Sequence, residues 1–168
     1  MKDIKVYNVI FPIWALLFFP PVIFLSMIGN FIIDSLVVVA CFYVFKLLKT
    51  KMNLKMFYKK SIYWVWIFGF VADFIGALFL FILLMCSDFL GFSYELVSAI
   101  CYDPFSHPLA VLIIGASMLV STLFIFLFNY RYTYKTIIKD EKVRFIVALT
   151  IALVTIPWTF LLPTNWFF

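Results

Sequence analysis

Two carboxylates stand where a charge is expensive. The stretch NFIIDSLVVV carries Asp34 and the stretch GFVADFIGALFLF carries Asp73, each among residues too apolar to form a wetted surface. Acids in such surroundings bind cations, carry protons, or stay protonated and hydrogen-bond between helices. An ionised Asp at the centre of a membrane helix costs about 3 kcal/mol on insertion scales, and two neighbouring carboxylates cannot both ionise cheaply. The sequence pattern puts no Lys, Arg or His at their depth. The balancing charge is therefore a proton, a metal or organic cation, water in a cavity, or a residue of another subunit.

Spacing predicts that the two acids meet. Asp34 lies twelve residues before Lys46, and Asp73 twelve residues after Ser61. At ~1.5 Å per residue both sit about 18 Å from one boundary, and consecutive antiparallel helices would bring them level. Asn30, Asp34, Val38 and Cys41 share a face, from which the Asn30 amide would donate to Asp34. Trp66, Gly69, Asp73, Gly76 and Ala77 fall within about 60° of one another at ~100° per residue. Gly69, Gly76 and Ala77 form a patch that allows close helix approach. A third helix offers Gly115, Met118, Thr122 and Asn129 as a mildly polar stripe, and a fourth offers Ala148, Ala152, Thr155 and Thr159. Asp34, Asp73, Asn30 and Thr122 are the candidate ion- or substrate-binding residues.

The elements that position these groups are membrane helices. Apolar residues make up 67% of the chain and charged residues 12%, against about 45–50% and 25% in soluble domains. Apolar runs cover about 6–48, 61–87, 108–130 and 143–163. A ~30 Å hydrocarbon core needs about 20 helical residues, so the first run holds two spans. The predicted fold is an all-α polytopic membrane protein, one domain over 1–168. Its five spans are at about 6–28 (broken at Pro20-Pro21), 30–48, 61–87, 108–130 and 143–163. Pro20-Pro21 would make a kink or a re-entrant loop, and Gly29-Asn30 a turn and helix start.

Charge orients the prediction. Lys2 and Lys5; Lys46, Lys49, Lys51, Lys55, Lys59 and Lys60; and Arg131, Lys135, Lys139, Lys142 and Arg144 account for all thirteen basic residues. Five spans put all three clusters on one face, which the positive-inside rule makes cytoplasmic, with the amino terminus in and the carboxy terminus out. Tyr58, Tyr63, Trp64, Trp66, Tyr130, Tyr132 and Tyr134 would belt the inner interface, and Trp158 and Trp166 the outer one. Lys2 and Lys5 precede an apolar run without a clear small-residue cleavage site, so this segment is expected to be an uncleaved span.

The outer connection, 88–107, predicts a short interfacial helix at about 94–102. Ser93 would cap it, Glu95 would complement its positive end, and Asp103-Pro104 would stop it. Asp88, Glu95 and Asp103 would make an acidic vestibule that concentrates cations. Cys86 and Cys101 lie within reach of one side and could pair, although three cysteines, Cys41 included, make no disulfide framework. His107, four residues after Asp103, reads as a loop histidine rather than a metal ligand.

These observations imply a small transporter or channel, cation-selective or proton-coupled, in a cell (inner or cytoplasmic) membrane. The alternative is a non-catalytic accessory or scaffold subunit of a membrane complex. Irregular backbone at Pro20-Pro21, Pro157, Gly69 and Gly76 would line a cavity. Expected partners are the bilayer, anionic lipids at the cytoplasmic face, and a second copy or another membrane subunit. No cofactor is implied and the metal, if any, is open. The basic loop KLLKTKMNLKMFYKK is explained by topology and anionic lipid, without nucleic acid; its Met52, Leu54, Met56 and Phe57 would dip into the interface.

Phosphate loops, H-E-x-x-H, C-x-x-C and Ser/His/Asp constellations are missing. Paired intramembrane aspartates invite comparison with di-aspartyl intramembrane proteases. Their glycine-x-glycine-aspartate context is absent, since Gly69-Phe70-Val71-Ala72-Asp73 stands here. Hydrolysis is the remote alternative.

Overall fold

The computed structural model describes residues 12–18, 20–45, 47 and 53–164. Lys2, Lys5, Lys46, Lys49, Lys51, Met52 and Trp166 lie outside the described residues, as does most of the predicted first span before Pro12. Within them the chain forms a 3-10 segment Ile13–Phe18, then α1 Pro20–Val44, α2 Leu54–Met85, α3 Tyr94–Tyr102, α4 Pro108–Phe128 and α5 Glu141–Val154. A short 3-10 turn, Pro104–Ser106, precedes α4. A wider π-type turn, Asn129–Thr133, extends α4, and a 3-10 segment, Trp158–Leu161, follows α5. No strand occurs among the described residues.

Among the described residues four segments are long and apolar enough to cross a membrane: Ile23–Val44, Leu54–Met85, Pro108–Thr133 and Glu141–Leu161. The predicted division of the first run differs from this. α1 runs without a break through Gly29 and Asn30, because one glycine in an apolar helix costs only about 1 kcal/mol and the Asn30 side chain bonds elsewhere. Pro20 and Pro21 open α1 instead of kinking a longer helix, where absent backbone donors cost nothing. The segment Ile13–Phe18 is only about 12 Å long at 3-10 rise, too short to cross. It packs at one end of the bundle, where Trp14 donates from Nε1 to the Ile100 carbonyl at 3.3 Å.

α2 starts earlier than the predicted 61, because Asn53 caps it through Oδ1 to the Lys55 N–H at 3.2 Å. Its 32 residues extend about 48 Å, well beyond a hydrocarbon core. Phe57, expected at the interface, is instead fully buried, with its ring 5.6 Å from Phe42 and 5.7 Å from Tyr134. α3 occupies the predicted 94–102. The Ser93 hydroxyl accepts from the Leu96 N–H at 3.2 Å, Glu95 sits in the first turn, and Asp103 ends the helix.

α2 is the centre of the bundle, packed on α1 on one side and α4 on another, with α5 against both α1 and α4. The core divides into two apolar clusters. One, around Phe42, Phe57, Val65, Ile125, Tyr134, Val147 and Ile151, lies where α2 and α5 begin and α1 and α4 end. The other, around Trp14, Leu80, Ile100, Ile114, Met118 and Phe160, lies at the opposite end under α3. Buried polar residues Asp34, Asp73, Ser117, Ser121 and Thr122 form the layer between them.

Charge follows the same division. Lys55, Lys59, Lys60, Arg131, Lys135, Lys139, Lys142 and Arg144 fall at the first end, whereas Asp88, Glu95, Asp103 and His107 fall at the second. Phe24, Leu25, Ile28, Ile32, Leu36, Leu112, Leu119 and Leu153 turn outward. A surface of that kind suits lipid rather than water. Pro12 and Thr164 both lie near Cys101 at the acidic end: Pro12 shares an apolar groove with it, and the Thr164 hydroxyl donates to its carbonyl at 3.1 Å.

Candidate functional site

Asp34 and Asp73 are both buried, at 3% and 8% exposure, on facing helices. Each belongs to a two-residue ladder spaced by one helical turn: Asn30 and Asp34 on α1, Gly69 and Asp73 on α2. The helices run antiparallel, so the ladders meet head to tail. Asn30 lies opposite Asp73 and donates from Nδ2 to Asp73 Oδ2 at 3.3 Å. Asp34 lies opposite Gly69, and a Cβ added to Gly69 would stand 3.5 Å from Asp34 Oδ2. The missing side chain at 69 thus leaves room for the Asp34 carboxylate against α2.

This register corrects two expectations. Asn30 serves Asp73 and not Asp34, its neighbour one turn along. The two acids are not level; they are staggered by about one turn, ~5 Å along the bundle. The prediction counted both from the ends of their spans, and α2 and α1 do not begin and end where those spans were placed.

The acids open onto a cavity of about 150 Å³ lined by Asn30, Ile33, Asp34, Gly69 and Asp73, and by the stretch Val154 to Thr159. At ~30 Å³ per water, that is room for roughly five molecules. α5 stops at Val154 because Pro157 has no N–H to give Leu153 and disfavours helical backbone at Ile156. The Thr155 N–H and hydroxyl both turn back to the Ile151 carbonyl, each at 2.9 Å. The chain resumes as the 3-10 segment Trp158–Leu161. The last carbonyls of α5 therefore lie beside the cavity without a following helical N–H, carrying the negative end of the helix dipole. The predicted continuous span 143–163 is a helix, a break and a short second helix.

Asp34 Oδ2 and Asp73 Oδ1 are buried without a hydrogen-bond partner among the described residues. No Lys, Arg or His lines the cavity. Two carboxyl groups and the nearby carbonyl end of a helix favour positive charge on one side of the cavity, and Ile33, Ile156 and Trp158 make the rest of its wall apolar. Among the described residues no group of three or more His, Cys, Asp and Glu is arranged to hold a metal. A cation here would be held by two carboxylates together with amide, hydroxyl and carbonyl oxygens.

Other expected residues fall elsewhere. Thr122 is buried on α4, but its hydroxyl donates to the Met118 carbonyl at 2.7 Å and it does not line the cavity. Asp88 and Glu95 are exposed at the acidic end. Asp103 caps the turn before α4, accepting from the Phe105 N–H at 3.1 Å. None of the three lines the cavity. Cys41, Cys86 and Cys101 are free thiols, and His107 caps α4 through Nδ1 to the Leu109 N–H at 3.2 Å.

The lining residues that sequence reasoning missed are Ile33, Val154, Ile156 and Trp158. Irregular backbone at Pro157 and Gly69 was expected to line a cavity and both residues do so, whereas Gly76 does not. Fold and site together define a multi-pass helical membrane protein with a largely apolar cavity that two buried aspartates line. No family model, curated protein or solved structure matches the chain.

Proposed function

We propose that the chain is a small transporter or channel for a cation, with Asp34 and Asp73 as successive stations for a proton or a small cation. The observation that carries this reading is that Asp34 and Asp73, each with a buried carboxyl oxygen lacking a partner among the described residues, line one cavity that has no positive side chain and is walled by the broken stretch after α5. Broken helices whose ends face a mid-membrane site are the usual way to build cation sites in oil. The one-turn stagger suits transfer, because two sites in sequence let an ion enter one while another leaves. Asn30 donates to Asp73 Oδ2 and so orients that carboxyl group, whose Oδ1 has no partner among the described residues.

The basic end would face the cytoplasm by the positive-inside rule, and the acidic end the exterior of a cell membrane. Asp88, Glu95 and Asp103 then contribute a general negative potential at the outer mouth, without contacting the site.

The test is flux through liposomes holding the purified chain. Asp34→Asn and Asp73→Asn keep shape and remove the charge; each is expected to abolish cation- or proton-driven flux at unchanged folding. Unchanged flux in both would end the proposal.

A second reading is an accessory subunit. α1 turns Phe24, Leu25, Ile28, Ile32 and Leu36 outward, a face that another membrane helix could cover. A chain that carries no flux alone but does so with one co-purifying membrane subunit supports this reading.

A further inference from the structure

The basic end holds a second cavity, unrelated to the aspartates. It measures about 540 Å³ and is lined by Lys59, Lys60, Tyr63 and Trp64 of α2 and by Tyr132, Thr133 and Thr136 beyond α4. Its charge is unbalanced. No acidic side chain lines it, and the only ion pair among the described residues is Arg144 with Glu141, at 3.2 Å, elsewhere on this end. Thr133 is 97% buried, by its 3% exposure, and its hydroxyl has no hydrogen-bond partner among the described residues. A threonine in a regular helix would give that hydroxyl to the carbonyl one turn back, as Thr122 and Thr155 do here. The π-type turn at Asn129–Thr133 shifts Thr133 out of that register. Turns of this kind inside helices are concentrated at functional sites.

Two ammonium groups and the exposed Thr136 hydroxyl make a cradle for a phosphate group, with the unpartnered Thr133 hydroxyl buried behind it. What lies beneath them selects the source of that phosphate. Trp64 stacks on Phe68 one turn deeper, with ring centroids 5.4 Å apart, and Phe68 meets Phe128 at 5.1 Å and Tyr132 at 6.0 Å. A charged rim above a continuous aromatic wall matches a molecule with a phosphate at one end and hydrocarbon at the other. We infer that this cavity binds the headgroup of an anionic phospholipid, its phosphate between Lys59 and Lys60 and its acyl chains against Trp64 and Phe68. This is more than the general attraction of a basic loop for a membrane, because it assigns the affinity to two lysines out of the eight described basic residues at this end.

The experiment counts lipids that stay bound to the detergent-purified chain by native mass spectrometry, after titration with phosphatidylglycerol or phosphatidylcholine. The wild type is expected to keep one phosphatidylglycerol in preference to phosphatidylcholine. Removing two lysines, each contributing on the scale of a basic residue near an anionic surface, should weaken that binding about thirtyfold in Lys59→Gln/Lys60→Gln. The control Lys139→Gln/Lys142→Gln makes the same change in net charge and should bind as the wild type. Thr136→Val should weaken binding about fivefold, the scale of one lost hydrogen bond. Equal losses in both double variants would overturn the inference, since charge alone would then explain the affinity. Displacement of the lipid by equimolar glycerol 1-phosphate or inorganic phosphate would also overturn it, making free phosphate the ligand. Both double variants alter exposed side chains, and matching elution and thermal unfolding exclude misfolding as the cause.

Discussion

Among the glycines, Gly76 is the one pressed most closely against another helix, and Gly76→Ala tests the packing of α2 on α4 beside Asp73. A Cβ at 76 would overlap the Ser121 hydroxyl, lie 3.0 Å from the Ser117 carbonyl oxygen and 3.3 Å from Ser121 Cβ. Rotating Ser121 removes the first contact, but the other two belong to α4 itself, so α2 and α4 must part by a few tenths of an ångström. Overpacking of this kind costs about 1–3 kcal/mol. The Ser117 hydroxyl, which donates to the Gly76 carbonyl at 2.7 Å, is strained at the same time, at about 1 kcal/mol. Alanine returns about 1 kcal/mol of helix preference, which leaves a net loss of about 1–3 kcal/mol. Gly69→Ala on the same helix is the internal control. Its Cβ would meet Asp34 Oδ2 at an ordinary 3.5 Å, so stability should hold or rise by up to about 1 kcal/mol. Reversible unfolding in mixed micelles measures both, and Gly76→Ala/Ser121→Ala should recover only part of the loss. A Gly76→Ala protein as stable as the wild type, or a Gly69→Ala protein equally damaged, would refute the close-approach argument.

Three further outcomes are expected. Asn30→Leu removes the amide that donates to Asp73 and should reduce flux at least fivefold, while unfolding stability falls by about 1 kcal/mol; intact flux would show that Asp73 needs no orienting donor. Pro157→Ala restores an N–H for the Leu153 carbonyl and should let α5 continue past Val154. Amide exchange at 155–159 would slow and flux would be lost, whereas unaltered exchange would show that the break has another cause. A membrane-impermeant maleimide applied to intact cells should label the exposed Cys86 first. Buried Cys41 should stay unlabelled, and Cys101 should react slowly and only at higher pH, because burial raises its thiol pKa and lowers its thiolate fraction. Cys86 labelling only after permeabilisation would reverse the proposed orientation.

Membrane class, the positions of three later helices and the cap at Ser93 were legible because each rests on a local quantity: run length, mean polarity, or a hydroxyl three residues before an amide. The meeting of Asp34 with Asp73 was legible too, since consecutive antiparallel helices leave few other neighbours. Register was not. Whether Asn30 faces Asp34 or Asp73 depends on where α1 begins, and the forty-residue apolar run offered a turn at Gly29 that α1 passes straight through. Thr122 was chosen for chemistry and depth, yet the Met118 carbonyl one turn back is nearer to its hydroxyl than any other helix. The π-type turn at Asn129–Thr133 left no mark in composition, because Tyr, Arg and Thr suit many backbones.

The two apolar clusters pack at opposite ends of the bundle, and Asp34 and Asp73 belong to neither. Exchanging those two acids for other side chains should therefore leave both ends packed. On the proposed reading, changes at a handful of central positions would retune the molecule from one passenger to another.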